Sequence, residues 1–232
     1  MRAIILAAGI GSRLKPLTNT TPKPLLEINS QSFIERQISF LKQAGINDII
    51  IVVGYLHKKF EFLINKYNVK LIYNDKYSEY NNIYSMYLAR KYLSDSYVLE
   101  SDVYLNDNIF DTTIKDSTYF AVEKKSFNNE WVLEFNDNKI ITDISIYSGF
   151  NKYIMSGISY WNKKDGNYIC TLIEEKINSN NFHNLYWDNI VQYNLHNFNI
   201  KINMLNPNSV IEIDTVDEFK KFTNSINNKL KL

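Results

Sequence analysis

Cysteine is nearly missing from this chain: Cys170 is the only one among 232 residues. That excludes a disulfide framework and any thiolate-rich zinc site. Histidine is almost as scarce, and His57, His183 and His196 are scattered, so no catalytic imidazole stands out. Charge of one sign is lacking as well. The 26 Lys and Arg are balanced by 25 Asp and Glu, for a net charge of +1, whereas a protein that grips a nucleic-acid backbone by counterion release carries a basic excess or stripe. No apolar run approaches the ~20 residues of a transmembrane helix. The opening Met1-Arg2-Ala3-Ile4-Ile5-Leu6 enters an apolar strand with no small-residue cleavage site behind it, so it does not read as a signal peptide. The expected setting is the cytoplasm, without nucleic-acid partners or membrane insertion.

What the chain has is apolar mass and rings. Hydrophobic residues make up 45% of it, which suits a single domain over 1–232, because a chain of this length buries roughly three-quarters of its unfolded surface. Aromatic residues reach 14%, with 17 Tyr. Several stand beside acidic residues in polar stretches, a pairing suited to a cation-binding pocket.

Strands and helices alternate in the first half. Apolar, β-branched runs at 3–6, 48–53, 69–73 and 97–100 read as strands, and helical spacing follows at 33–44, 57–67 and 83–92. Ser32 and Glu35 form a capping box, and Gly45 supplies a C-terminal stop. This alternation predicts an α/β fold, a doubly wound, mostly parallel sheet. The second half switches to antiparallel patterning at 118–123, 131–135, 139–146 and 153–161. Helices at 164–178 and 187–195, a strand at 199–205, and a helix opened by the capping box Thr215-Val216-Asp217-Glu218 complete it. The expected organisation is one domain whose second half, 106–232, adds an antiparallel insertion and a lid to the first half, 1–105.

Directly after the first strand comes Leu6-Ala7-Ala8-Gly9-Ile10-Gly11-Ser12-Arg13-Leu14. Small residues let a backbone approach a phosphate, and successive amides make an anion-binding concavity. No Gly-Lys-Ser/Thr closes the loop as in a P-loop, and Leu14 stands where a dinucleotide fingerprint needs glycine. A tight turn would account for Gly9 and Gly11 equally well. Two cations favour phosphate: Arg13 within the loop, and Lys23 held between Pro22 and Pro24. At the C-terminal end of a first parallel strand, that combination suits a triphosphate.

Ala-Ala-Gly-x-Gly-Ser-Arg-Leu with a downstream Thr-Pro-Lys-Pro-Leu resembles the signature loop of the nucleotidyltransferases that join a nucleoside triphosphate to a phosphorylated small molecule. Such a reaction calls for a divalent metal, since the α-phosphate must be relieved of charge before another anion attacks it. Asp102, in Glu100-Ser101-Asp102, and Asp214, in Ile213-Asp214-Thr215, are candidate ligands for Mg²⁺. Each is also open to a helix-cap or turn role on sequence grounds. The resemblance implies metal binding for both, and Glu100 and Glu212 rank lower on an expected opposite strand facing.

Further segments narrow the resemblance. Asn129-Glu130-Trp131, Leu185-Tyr186-Trp187-Asp188-Asn189 and the run 77–85 containing Tyr80 are similar to those of bacterial CTP:phosphocholine cytidylyltransferases of the LicC type, as are Asn-Asp-Ile-Ile-Ile-Val-Val-Gly-Tyr at 47–55, Tyr-Asn-Asp at 73–75 and Ser-Gly-Ile-Ser-Tyr-Trp at 156–161. The similarity runs over essentially the whole chain. It implies that Lys23, Arg13 and Asp102 carry catalysis. Leu6, Ala7, Ala8, Gly9, Gly11, Ser12, Gly54, Tyr55, Asn82 and Ser85 would meet the nucleotide. Tyr80, Glu130, Trp131, Tyr186, Trp187 and Asp188 would meet the acceptor. A quaternary ammonium has no N–H to read, so aromatic faces and a nearby carboxylate are what can hold it. A core role for Trp131 and Trp187 is the plainer alternative, and Trp161 is assigned to the core. The expected reaction is CTP plus phosphocholine to CDP-choline plus diphosphate. Phosphoethanolamine, 2-aminoethylphosphonate or a sugar 1-phosphate are alternative acceptors, and a nucleotide-binding regulatory module is the non-enzymatic one.

Overall fold

The computed structural model describes residues 1–229. Its centre is β1 (Arg2–Ala7), flanked in parallel by β4 (Ile49–Val53) and β6 (Ser96–Glu100), with β5 (Lys70–Tyr73) parallel beyond β4. Two short strands, β2 (Glu27–Ile28) and β3 (Gln31–Ser32), form a separate hairpin. The sheet continues past β6 with β11 (Lys152–Trp161), β9 (Phe127–Phe135) and β10 (Ile141–Gly149), all antiparallel; β8 (Thr118–Lys124) branches antiparallel from β11, and β12 (Lys201–Leu205) lies parallel beyond β8. Nine strands therefore form one sheet, the mostly parallel half merging into an antiparallel one.

Alternation along β1 explains the layering. Ala3, Ile5 and Ala7 face one apolar cluster, which includes Ile34, Ile38 and Leu41 of α1 (Phe33–Gln43) and Leu63 of α2 (Phe62–Tyr67). Ile4 and Leu6 face the other, with Ile83 and Met86 of α3 (Asn82–Ala89), Ile169 and Ile173 of α4 (Lys163–Asn178), and Ile190 of α5 (Asp188–Tyr193). Successive side chains of a strand point to opposite faces, so a strand covered on both sides must be apolar throughout. All five residues of β4 are buried.

Local signals set the helix ends. The Ser32 hydroxyl accepts from the Glu35 amide while the Glu35 carboxylate accepts from the Ser32 amide, and Gly45 follows α1 at φ 87°. Thr215 and Glu218 repeat the reciprocal bonds at the start of α6 (Val216–Lys229). The expected helix at 57–67 is split into a 3₁₀ turn at His57–Phe60, entered through Leu56 at φ 50°, and α2. Asn129 and Glu130, ahead of the strand expected at 131–135, lie inside β9.

The last elements position chemistry. β7 (Val103–Leu105) pairs antiparallel with β13 (Val210–Glu212), matching Val103 with Glu212. This small ribbon carries the residues just after β13 back to the C-terminal rim of β6.

Gly166 in α4 has the tightest helix contact, since a Cβ there would stand 2.5 Å from the Leu93 carbonyl oxygen. Gly166→Ala is expected to destabilise the protein by about 1–3 kcal/mol through overpacking. Urea unfolding checks this, and an unchanged midpoint would mean α4 shifts freely.

Candidate active site

The strand order turns at β1, with β4 and β6 on either side, the place where open α/β sheets bind ligands beyond their strand ends. The loop after β1 lines a cavity of about 250 Å³ there, together with Lys23, Glu100, Asp102 and Asp214. Gly11 lies at φ 66°, and a Cβ on it would come within 3.0 Å of Lys23 Cβ, so glycine is required by conformation and by closeness. Thr18 Oγ1 donates to its carbonyl at 2.9 Å, and Leu14, 1% exposed, anchors the loop in the core. Gly9 is different. A Cβ there would meet nothing within 4 Å, so neither strain nor packing explains it, and the open space is that of the cavity.

Lys23 sits in a 3₁₀ turn with Pro22 ahead and Pro24 inside it, and it is 6% exposed. Its Nζ donates to Asp102 at 3.0 Å and Asp214 at 2.8 Å; Arg13 reaches Asp214 at 3.0 Å. Burial pulls the ammonium toward neutrality, but the two carboxylates outweigh it and hold its pKa above the ordinary lysine value. Burial pushes Asp214 up, while Lys23 and Arg13 bring it below the ordinary range.

Glu212 completes the cluster. Carboxylate oxygens of Asp102, Glu212 and Asp214 lie within 4.8 Å of one another. Burial, then the charges of Asp214 and Asp102, push Glu212 up to about 7. Three hard oxygen donors that repel one another fit a hard divalent cation. The expected opposite facing of Glu212 fails for a simple reason: residues two apart on an extended strand share a face.

Two smaller cavities adjoin, both sharing Glu100 with the first. One, about 230 Å³, is lined by Leu6, Ala8, Gly9, Tyr80, Asn82, Ser85 and Tyr186. The other, about 30 Å³, is lined by Tyr119, Met155, Gly157, Trp187 and Asp188. Glu100 is pushed well above its usual range by burial and by the charges of Asp102 and Asp188. Asp188 accepts from the Tyr119 hydroxyl at 2.8 Å and is raised to about 7 by burial.

Not every expected site residue faces a cavity. Ala7 is 2% exposed and turns into the core by strand alternation. Gly54 lines none of the three; its glycine is required because a Cβ would stand 2.6 Å from Tyr77 Cβ and 2.8 Å from the Ala8 carbonyl oxygen. Tyr55 is tied away, its hydroxyl donating to the Thr18 carbonyl at 2.9 Å. Ser85 does line the cavity of about 230 Å³, but it is buried and its hydroxyl accepts from the Asn74 side-chain amide at 2.9 Å. Within β9, Glu130 and Trp131 point to opposite faces: Glu130 pairs with Lys124 at 2.7 Å, while the Trp131 ring meets Tyr186 edge-on at 6.0 Å. Trp187 is 2% exposed and packs edge-on against Trp161 at 5.8 Å, so it belongs to the core and only walls the small cavity. Sequence reasoning passed over Tyr119 and Lys124, which carry no motif signal.

The nucleotidyl transferase family model matches residues 2–133. The chain is 44% identical to a choline-phosphate cytidylyltransferase from Streptococcus pneumoniae over 99% of its length and all of that protein's. It is 45% identical to one from Haemophilus influenzae, with 94% of each covered. A 2-aminoethylphosphonate cytidylyltransferase from Lancefieldella rimae is 34% identical, with 95% of this chain and 91% of that protein covered. The solved structure of the CTP:phosphocholine cytidylyltransferase LicC from Streptococcus pneumoniae superposes with a TM-score of 0.94, covering 97% of this chain and 98% of that one. The rim of Lys23, Asp102 and Asp214 thus stands on a fold and sequence shared end to end with these enzymes, and the chain belongs to the nucleotidyl transferase family, among its bacterial choline-phosphate cytidylyltransferases.

Proposed function

We propose that this protein is a Mg²⁺-dependent cytidylyltransferase of the cytoplasm that converts CTP and phosphocholine into CDP-choline and diphosphate. The observation that carries the reading is the meeting of Lys23, Arg13 and three carboxylates beside the glycine loop, with the Trp131–Tyr186 ring pair and Asp188 lying beyond it. The full-length similarity to choline-phosphate cytidylyltransferases supports it.

Residues 1–105 would take the nucleotide and 106–232 most of the acceptor contacts. Gly9 leaves the loop backbone open to the triphosphate, Gly11 lets the loop close against Lys23, and Ser12 and Arg13 line the same cavity. The nucleophile is an oxygen of the acceptor's phosphate, already anionic, so no general base is required. A bond from that oxygen to the α-phosphorus forms as the bond to the β-phosphate oxygen breaks, and diphosphate leaves with the electron pair. Asp102 and Asp214, joined by Glu212, would hold Mg²⁺, which when bound screens the negative charge of the phosphates. Lys23 and Arg13 would place positive charge against the α-phosphate and the leaving group. Trp131 and Tyr186 present rings, and Asp188 a carboxylate, to a trimethylammonium.

Asp102→Asn removes a charge but leaves Lys23 paired with Asp214, so turnover is expected to fall roughly a hundredfold or more while the melting temperature barely moves. Lys23→Ala is expected to lose as much turnover. Diphosphate release at saturating CTP and Mg²⁺ measures both, and a near-normal rate in either variant would show the rim to be misassigned.

Trp131→Ala is expected to raise the KM for phosphocholine about tenfold, with a smaller rise for phosphoethanolamine, whose N–H groups retain hydrogen bonds. Equal rises for both acceptors would reduce Trp131 to a packing role. A wild type that prefers the primary amine or 2-aminoethylphosphonate would replace the choline assignment.

Asp188, raised to about 7, faces Tyr119 and Glu100. Its negative charge is present above that pH and lost below it, so acceptor affinity is expected to strengthen as pH rises through 7. The acceptor's own phosphate titrates near ~6, and comparison with Asp188→Asn separates the two. Identical pH profiles of acceptor KM in wild type and Asp188→Asn would sink the assignment.

A further inference from the structure

The segment that carries Tyr186, Trp187 and Asp188 passes between the two smaller cavities: Tyr186 lines one, Trp187 and Asp188 the other. It makes no ladder with the sheet at this point, and α5 begins only at Asp188. Its backbone is held instead by the start of α3. Asn81 donates from its amide to the His183 carbonyl at 2.9 Å and from Nδ2 to the Asn184 carbonyl at 3.3 Å. Tyr80 packs its ring against Phe182 at 4.9 Å. The Trp187 amide donates to Asn82 Oδ1 at 2.9 Å, and Asn82 Nδ2 donates to Glu100 Oε1, also at 2.9 Å.

Asn82 is thus a two-way link. One end of its amide holds the segment at Trp187; the other is oriented by a carboxylate at the end of β6, on the wall common to all three cavities. Its oxygen and one N–H are both engaged, which leaves little to read a base. A side-chain amide with both ends engaged is fixed in rotamer and in flip, since reversal would set N–H against N–H and oxygen against carboxylate.

We propose that Asn82 is a positioning residue for the acceptor: it fixes the height of Tyr186 and Asp188 relative to the strand end, and so sets acceptor affinity rather than nucleotide affinity. This rests on the acceptor role proposed for that segment. Asn82→Asp keeps an oxygen for the Trp187 amide but turns the link to Glu100 into an opposition of two carboxyl groups. Combining it with Glu100→Gln restores the chain with the donor reversed, glutamine now donating to the aspartate.

The test is steady-state kinetics of wild type, N82D, E100Q and N82D/E100Q with CTP and phosphocholine, with melting temperatures alongside. N82D is expected to raise the phosphocholine KM about tenfold, with the KM for CTP within about twofold of wild type. The double variant is expected to recover most of that loss relative to N82D and to match E100Q, whose amide oxygen still accepts from Asn82. A CTP KM that rises as far as the acceptor's would make Asn82 a nucleotide contact. A double variant no better than N82D would show that the link is not what matters. Should N82D fail to fold, the comparison of E100Q with the double variant decides the same point. If the wild type uses another phosphorylated acceptor in place of phosphocholine, the substrate reading fails, and the same four proteins measured with that acceptor still decide the role of Asn82.

Discussion

Three carboxylates converge on one rim, and the Lys23 ammonium lies between two of them. Unpaired, such a group of charges repels strongly where burial limits screening. The rest of the site is arranged around that constraint. Proline on either side fixes Lys23 in its turn, Gly11 lacks the Cβ that would press on it, and Arg13 takes the free oxygen of Asp214. Cations that balance the carboxylates are also the groups that would meet phosphate. One set of charges thereby balances the rim and would also receive an anionic ligand.

Glu100 ties this rim to the proposed acceptor side. Its carboxyl stands at the boundary of all three cavities and receives the Asn82 amide. Beyond it, Asp188 is held by Tyr119 and walled by Trp187, which the core itself fixes through Trp161. Acidic groups therefore continue from the Lys23 rim to Asp188, an order that would match the phosphate and cation of the proposed acceptor.

Much of the layout was legible in the residues. Period-two and helical spacing placed the parallel strands and α1, and the two capping boxes fixed helix starts, because those signals are local. The glycine loop with Lys23, and Asp102 at the end of β6, also fell where expected. Individual contacts were not legible. The Glu130-Trp131 adjacency looked like one pocket wall, yet inside a strand neighbouring side chains diverge. Gly54 and Tyr55 resembled nucleotide contacts, but Gly54 answers to Tyr77 and Tyr55 to Thr18.

By itself the sequence determined the alternating fold and the glycine loop, since each depends on spacing within a short window, and its resemblance to known nucleotidyltransferases singled out the charged groups. The tertiary structure alone decided which charges meet. Asp214 reaches Lys23 because β13 pairs with β7, and Glu212 joins it because that pairing sets the register. Trp187 became core and Trp131 a ring beside Tyr186 because burial depends on what packs across the sheet, a contact between residues far apart in the chain that no local pattern records.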